Sequence, residues 1–513
     1  MEIQNADKKL PKWAWGLTAA MTLGLLLYTI LRALNVPMTF DEIWSFRSYS
    51  SAPIKNILQF SYPTANNHPG NSLLMKLSSA LFGSSPFALR IPNLLAHGLY
   101  IFFSFRLAQR LRSPFWILSL FFLLNFNPYL LDFFALARGY GLASAFTMGA
   151  LYFLMAFREK PSLKYLIGNA ALGGFAVFCN FSFLHFFLAS GLGIALLIIS
   201  HCDEWKIYGW AILLKMLVRI SPIVIVSTLL FLYLRGPVAA LIEAKELYYG
   251  GQTGFWTDTV SSIAHAWIYL IDYWRFDVSV LLKLLQAALI GMFAIFSIQM
   301  SRAPFDFRKS PGMIFFIMML TVAATGTVQH FKADSPFIIY RTAIFLFPLF
   351  FLGFTFLAKN IAKIPGMRVI GIGVMTLGLG LTAFNNAFSW NLHYACEWPF
   401  DADTPEMLHD LKSEAGPLPP GKIVKLGISW EMRPSINFYH DYLNLTWLQK
   451  VDNKGCQPGN DFYYVLGKGG GCKLKTGKLP FGTNQGLILV KRYPQSGGSL
   501  WKNPHPENPS FPD

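Results

Sequence analysis

Charge is what this sequence has least of. Only 14% of its 513 residues are Asp, Glu, Lys or Arg, where a soluble globular domain carries about 25%. With 53% hydrophobic residues and a mean hydropathy of +0.40, the chain is not a soluble enzyme with one anchor. Acidic residues are scarcest: 27 against 43 basic, for a net charge of +16. Cysteine is sparse too. The five cysteines come with no CxxC pair and no paired His, which argues against a zinc site. No small-residue cleavage site follows the first apolar run, so that run reads as a retained helix and not as a signal peptide. Heptads and clear internal repeats are absent as well.

What the chain has in quantity is apolar length and aromatics, 16% of residues with 47 Phe. Apolar length places about eleven spans, roughly at 15–35, 86–107, 114–134, 139–157, 164–179, 184–200, 211–234, 278–300, 313–329, 342–358 and 369–386. The basic excess is patterned on the connections. Six segments on the N-terminal side carry Lys8, Lys9, Lys12; Arg106, Arg110, Arg112; Arg158, Lys160, Lys164; Lys206, Lys215, Arg219; Arg302, Arg308, Lys309; and Lys359, Lys363, Arg368. Short loops rich in Lys and Arg face the cytoplasm. The expectation is a multi-pass membrane protein with a cytoplasmic N-terminus and an extracytoplasmic C-terminus. The positive charge then meets anionic membrane lipids and not nucleic acid.

The fold class expected is therefore an α-helical polytopic membrane protein with a small C-terminal extracytoplasmic α/β domain. Residues 1–386 read as the transmembrane domain, with long outer loops at 36–85 and 235–277. In the first loop, Asp41–Ser50, Pro53–Phe60 and Asn71–Phe82 suit short interfacial helices. The second holds Tyr248-Tyr249-Gly250-Gly251-Gln252-Thr253-Gly254-Phe255, a flexible turn between aromatics that suits either closure over a substrate or a surface loop with no such role. Residues 387–502 read as the α/β domain. Its strands are expected at Lys422–Gly427, Asp461–Leu466 and Gly486–Arg492. Its helices are expected from Thr404 to about Ser413 and over Pro434–Tyr442. Cys456 and Cys472 flank a Gly-rich stretch outside the membrane, where a disulfide is favoured. Residues 503–513, rich in Pro and Asn, read as a disordered tail.

The polar residues that stand out gather on the outer side. Asp41-Glu42 follows the first span, and carboxylates this close to hydrocarbon are costly unless they act. Asn66-Asn67-His68-Pro69-Gly70 comes later in the same loop. Arg90 opens the second span, Asp132 and Arg138-Gly139-Tyr140 form the next outer turn, and Lys332, Tyr340 and Arg341 join two later spans. Each also has a bland reading. Asp41 suits the N-cap of an interfacial helix. Glu42 suits a surface ion pair, His68 a turn, and Arg90 an interface anchor. Arg138 and Arg341 suit contacts with lipid headgroups.

Taken in order, these residues and three more motifs resemble a family. The added motifs are Leu81-Phe82-Gly83-Ser84-Ser85-Pro86-Phe87-Ala88-Leu89-Arg90-Ile91-Pro92-Asn93, then Asn127-Pro128, then Ala137-Arg138-Gly139-Tyr140-Gly141-Leu142. The pattern is similar to the membrane-embedded GT-C glycosyltransferases, nearest the protein O-mannosyltransferase and aminoarabinose (lipid A) transferase group. It covers the first 145 residues or so, and the rest matches in layout only.

The resemblance implies an inverting transferase in a bacterial inner (plasma) membrane. Such an enzyme moves a sugar from a polyprenyl-phosphate donor to a hydroxyl or phosphate of a lipid, glycan or protein acceptor on the extracytoplasmic face. It implies Asp41 as catalytic base beside Glu42. Arg138 and Arg341 would hold the leaving phosphate, backed by Lys332, with His68, Arg90, Tyr140 and Tyr340 as further substrate contacts. Some relatives carry a further acidic residue near the second outer turn. Asp132 is its counterpart by position, which leaves a divalent cation open. Two other classes compete: a lipid-linked glycan transporter or flippase, and a polytopic scaffold. The first predicts broken helices and polar residues at the membrane midplane in repeated halves. The second leaves Asp41 and the Arg residues without a task.

Overall fold

Proline sets many of the helix starts. Pro69–Phe82, Pro86–Ala108, Pro114–Asn125, Pro128–Ala135 and Pro311–Ala333 all begin at one, since its φ is preset and its missing N–H would be unpaired there anyway. The computed structural model describes residues 10–202, 210–270, 278–302, 306–452, 456–457, 459–466 and 487–506. Ten of the apolar runs read from the sequence each coincide with one helix, and the run at 114–134 coincides with two. Among the described residues, seven helices are long and apolar enough to cross a membrane. They become eight if Pro114–Asn125 and Pro128–Ala135, bent by 60°, form one span. The bend falls at Phe126-Asn127, where the Asn127 side chain caps the second piece by accepting from Leu130 N–H. Leu163–Cys179 and Leu346–Ile361 have 17 and 16 residues, short for a hydrocarbon core of about 30 Å. The protein is a multi-pass membrane protein.

The described residues divide into two compact units. The first comprises Met1–Ile30, Ala52–Ser78 and Arg90–Trp390. Its central helix is Gly139–Glu159, 83% buried over its apolar window. Trp210–Glu243 and Val278–Arg302 are 11% and 6% buried, so their apolar side chains are left for lipid. The loop holding Gly250-Gly251 is pinned and is not the flexible turn expected. Gly251 N–H donates to Phe337 O at 2.9 Å, and Phe337 N–H returns the bond at 2.8 Å. A Cβ on Gly250 would stand 2.4 Å from Pro336 Cβ, and one on Gly251 2.2 Å from Asp258 Cβ. Only glycine allows so close an approach.

The second unit comprises Leu31–Ser51, Ser79–Leu89 and Asn391–Asp513. It holds a four-stranded sheet of β1 (Leu426–Ile428), β2 (Phe462–Leu466), β3 (Ile488–Tyr493) and β4 (Gly498–Lys502) in the order β1-β2-β4-β3. β1 and β2 run parallel, and the other pairs are antiparallel. β4 had no counterpart among the expected strands. Helices Thr404–Ala415 and Arg433–Tyr442 complete the domain. Asp403 holds the N-cap position of the first. Cys456 is disulfide-bonded, while Cys472 lies outside the described residues, as do residues 507–513 of the expected tail. Asn503 N–H donates to Asp461 O.

The chain from Leu31, in the last turns of the first apolar helix, to Ser51 belongs to this second unit by its bonds. Arg32 donates to the carbonyls of Asn391 and Tyr394. Met38 N–H donates to Tyr439 Oη at 3.0 Å. Arg47 donates to Asn437 O and to Asp441 Oδ2, both at 2.8 Å.

Candidate functional site

In the second unit, Thr39 is the N-cap of helix Phe40–Ser45, which places Asp41 in the helix and not at its cap. Glu42 closes the capping box, its Oε2 accepting from Thr39 N–H at 3.0 Å and Thr39 Oγ1 at 3.1 Å. The helix start is thus served by Thr39 and Glu42. Asp41 is 6% exposed and Glu42 fully buried. A third carboxylate joins them. Asp401 Oδ2 accepts from Phe40 N–H at 2.7 Å, and Ser435 Oγ donates to Asp401 Oδ1. Burial, first, and the negative charges of Asp41 and Glu42 push Asp401 up to about 8, against the opposing pull of its two hydrogen bonds.

In the first unit, the start of helix Gly139–Glu159 organises a cationic cluster. Arg138 occupies its N-cap position with extended backbone, beside the positive end of the helix dipole. Asn66 Oδ1 accepts from Arg138 Nη2 at 3.0 Å. The Arg138 backbone is fixed by an amide relay: Asn71 Nδ2 donates to Ala137 O, Asn93 Nδ2 to Asn71 Oδ1, and Leu142 N–H to Asn93 Oδ1. Two glycines let the segment fit. A Cβ on Gly139 would lie 2.1 Å from Cys179 O and 2.8 Å from His68 Cβ. One on Gly141 would lie 2.3 Å from Phe133 O.

His68 is buried, with its ring edge-on to Tyr140 at 5.2 Å. Its Nε2 has no hydrogen-bond partner among the described residues. Burial, first, and the positive charges of Arg138 and Arg341 hold its imidazole well below 6.5. His68 is therefore a neutral group within the field of two guanidiniums.

Arg341 reaches that field from a different element. Its Nη1 donates to Tyr249 Oη at 3.2 Å, with the guanidinium 4.2 Å from that ring. The neighbouring Tyr340 has φ +46°, a left-handed conformation that costs a non-glycine residue of order 1 kcal/mol. It is held by Tyr340 N–H donating to Ser262 Oγ and by Thr259 Oγ1 donating to Ile338 O.

The remaining expected residues take other places. Arg90 is fully buried, whereas an interface anchor would be exposed. Lys332 is exposed near the end of helix Pro311–Ala333. Asp132 is buried, and Tyr269 Oη lies 2.9 Å from each of its oxygens. Among the described residues, no three His, Cys, Asp or Glu side chains are grouped to hold a metal ion, so no metal site is assigned. Sequence reasoning passed over Asn66, Tyr249, Tyr269 and Asp401 as partners of the candidate residues. It also passed over the Thr39-x-x-Glu42 spacing, which is itself a capping-box signature.

Comparison with known proteins gives a partial match in sequence. The family model for dolichyl-phosphate-mannose-protein mannosyltransferase matches residues 66–246. That range includes His68, Arg90, Asp132, Arg138 and Tyr140 but neither Asp41 nor Arg341. No curated protein sequence matches the chain. Among solved structures, ArnT from Cupriavidus metallidurans bound to undecaprenyl phosphate is similar at 12% identity and a TM-score of 0.45, covering 96% of this chain and 98% of that one. The apo form of the same protein aligns at 11% identity and a TM-score of 0.44, covering 94% and 97%. The chain is thus a polytopic membrane protein that resembles the GT-C glycosyltransferases, through the mannosyltransferase model over residues 66–246.

Proposed function

We propose that the protein is an inverting glycosyltransferase that takes a sugar from a polyprenyl-phosphate donor and places it on an acceptor at the extracytoplasmic face of the membrane. The observation that carries this reading is the cluster of Arg138 and Arg341 around a neutral His68 at a helix N-terminus. Guanidinium groups and a helix N-terminus are what a phosphate requires. The description of the matching family model, dolichyl-phosphate-mannose-protein mannosyltransferase, supports a donor carried on a lipid phosphate.

In the proposed reaction Asp41 is the base. Thr39, not Asp41, holds the N-cap position of helix Phe40–Ser45, with Glu42 closing the capping box. The Asp41 carboxylate takes the proton of the acceptor hydroxyl as that oxygen bonds to the anomeric carbon. The bond from that carbon to the phosphate oxygen breaks, and its electron pair leaves with the phosphate. Attack opposite the leaving group inverts the anomeric centre. The charge that grows on the phosphate is stabilised by Arg138 and Arg341. A phosphate acceptor would need no base, so dependence on Asp41 points to a hydroxyl.

The test has two arms. Mass spectrometry of cell-envelope glycolipids and glycans, with and without the protein, should reveal one missing glycosylated product. Asp41→Asn in the purified protein should slow transfer from polyprenyl-phosphate sugars by at least about a hundredfold. Near-normal transfer by Asp41→Asn removes the base assignment, and unchanged envelope products remove the activity. Orientation is tested by a phosphatase reporter, active when fused after Asn386 and inactive after Lys160. The reverse pattern would put the residues on the wrong face.

A further inference from the structure

We propose that Asp401 is a positioning residue for Asp41: by accepting from the Phe40 amide it fixes the first turn of the helix that aims the Asp41 carboxylate. The inference rests on the reading of Asp41 as the base. Phe40 is the first residue of helix Phe40–Ser45, so its N–H has no partner within the helix. Glu42 Oε2 accepts from Thr39 instead. Asp401 supplies the partner, at 2.7 Å, within the N–H···O hydrogen-bond range. Phe40 and Asp41 are adjacent in the same turn. A shift of the Phe40 amide therefore carries the Asp41 carboxylate with it.

Asp401 is itself held. It is 1% exposed, it ends the short turn Pro399–Asp401, and its second oxygen is occupied by Ser435 Oγ from helix Arg433–Tyr442. The same helix accepts from Met38 N–H through Tyr439 Oη. Asp401 on one side and Tyr439 on the other thus bracket residues 38–40. Burying a third carboxylate beside Asp41 and Glu42 is electrostatically unfavourable, which is why Asp401 is pushed up to about 8. A group maintained against that cost is explained by what it holds.

The experiment uses the purified full-length protein with a polyprenyl-phosphate sugar and its acceptor. Asp401→Ala should lower kcat at least about tenfold, as misaimed catalytic groups do, with both KM values within about twofold of the parent. Asp401→Asn should restore most of kcat. Its amide oxygen still accepts from Phe40 N–H, and its Nδ2 can donate to Ser435 Oγ. A merely structural role would lower the folded fraction and leave kcat per folded molecule unchanged, and that result would overturn the proposal. So would equal impairment by Asn and Ala. Should Asp401→Ala fail to fold, Tyr439→Phe removes the other bracket by a milder change. It should lower kcat several-fold, and an unchanged kcat would count against positioning. Hydrogen exchange separates this inference from the one beneath it. Asp401→Ala should speed exchange of the amides of Phe40–Ser45 and leave those of β2 protected, whatever the activity. Normal transfer by Asp41→Asn alongside faster exchange would dismiss the base and keep the clamp. An inactive Asp41→Asn alongside a fully active Asp401→Ala would do the opposite.

Discussion

Tyr269 Oη stands 2.9 Å from both carboxylate oxygens of Asp132, and both residues are buried. The pair ties the short helix Pro128–Ala135 to the loop that follows helix Ser261–Trp267. Asp132 is the acidic residue that resemblance offered as a site group, yet its oxygens are already served by a hydroxyl. Tyr269→Phe removes that donor and keeps the ring. It should cost about 1–3 kcal/mol, the penalty for depriving a buried polar group of its bond. Thermal unfolding in detergent measures it. A variant as stable as the parent would show that Asp132 is not anchored through Tyr269.

Gly139 offers a sharper steric test. Its added Cβ would meet Cys179 O at 2.1 Å and His68 Cβ at 2.8 Å. The first neighbour is backbone and cannot rotate away. Gly139→Ala should therefore displace the Arg138 turn, with a stability loss of about 1–3 kcal/mol for overpacking, and it should weaken donor use. Gly373, where an added Cβ meets nothing within 4 Å, is the control: Gly373→Ala should leave transfer unchanged. Equal behaviour of the two variants would remove close packing as the reason for Gly139.

These two cases show what could be read from sequence. Apolar length located the helices because bilayer thickness fixes how long a span must be. The Arg138-Gly139-Tyr140 turn stood out because an Arg beside an apolar run is costly. Partners were not legible. Tyr269 and Asp132 are 137 positions apart, and Phe40 and Asp401 are 361 apart, so no local pattern links them. β4 escaped because Gly498-Ser499 opens it with residues of low strand propensity. The bland reading of Asp41 as a cap does not hold, for a local reason. Thr39 also caps well, and Glu42 sits at the spacing that completes a box from Thr39 and not from Asp41.

The buried His68 and Asp401 give stability opposite dependences on pH. His68 is held below its ordinary 6.5 in the folded chain, so between the two values the unfolded chain binds the extra proton. Stability should be full above 6.5 and fall as pH drops below it. Asp401 is raised from 3.8 to about 8, so here the folded chain binds the extra proton. Its contribution is full below 3.8 and is lost as pH rises through about 8. Unfolding midpoints across pH should therefore decline on both sides. His68→Gln should lessen the acid-side decline alone, and Asp401→Asn the alkaline-side decline alone. Variants that leave both slopes intact would assign the pH dependence to other groups.

The phosphate assignment rests on two guanidiniums from distant parts of one unit, Arg138 at a helix N-cap and Arg341 beside Tyr249. A guanidinium presents a planar fork that binds two phosphate oxygens at once, whereas an ammonium is a point charge. Arg138→Lys and Arg341→Lys should therefore keep the charge and lose the geometry. We expect kcat/KM for the polyprenyl-phosphate donor to fall at least about tenfold in each, as when one donor to a developing oxyanion is lost. The acceptor KM should stay near the parent value. Inorganic phosphate and free polyprenyl phosphate should also inhibit the parent more strongly than either variant, since they share the anion and differ in the lipid. A further check is His68. Its pKa is lowered partly by these two charges, so a bound phosphate dianion should raise it, which an imidazole NMR titration would report. Full donor use by both Lys variants, with no ligand effect on His68, would remove the phosphate from this cluster.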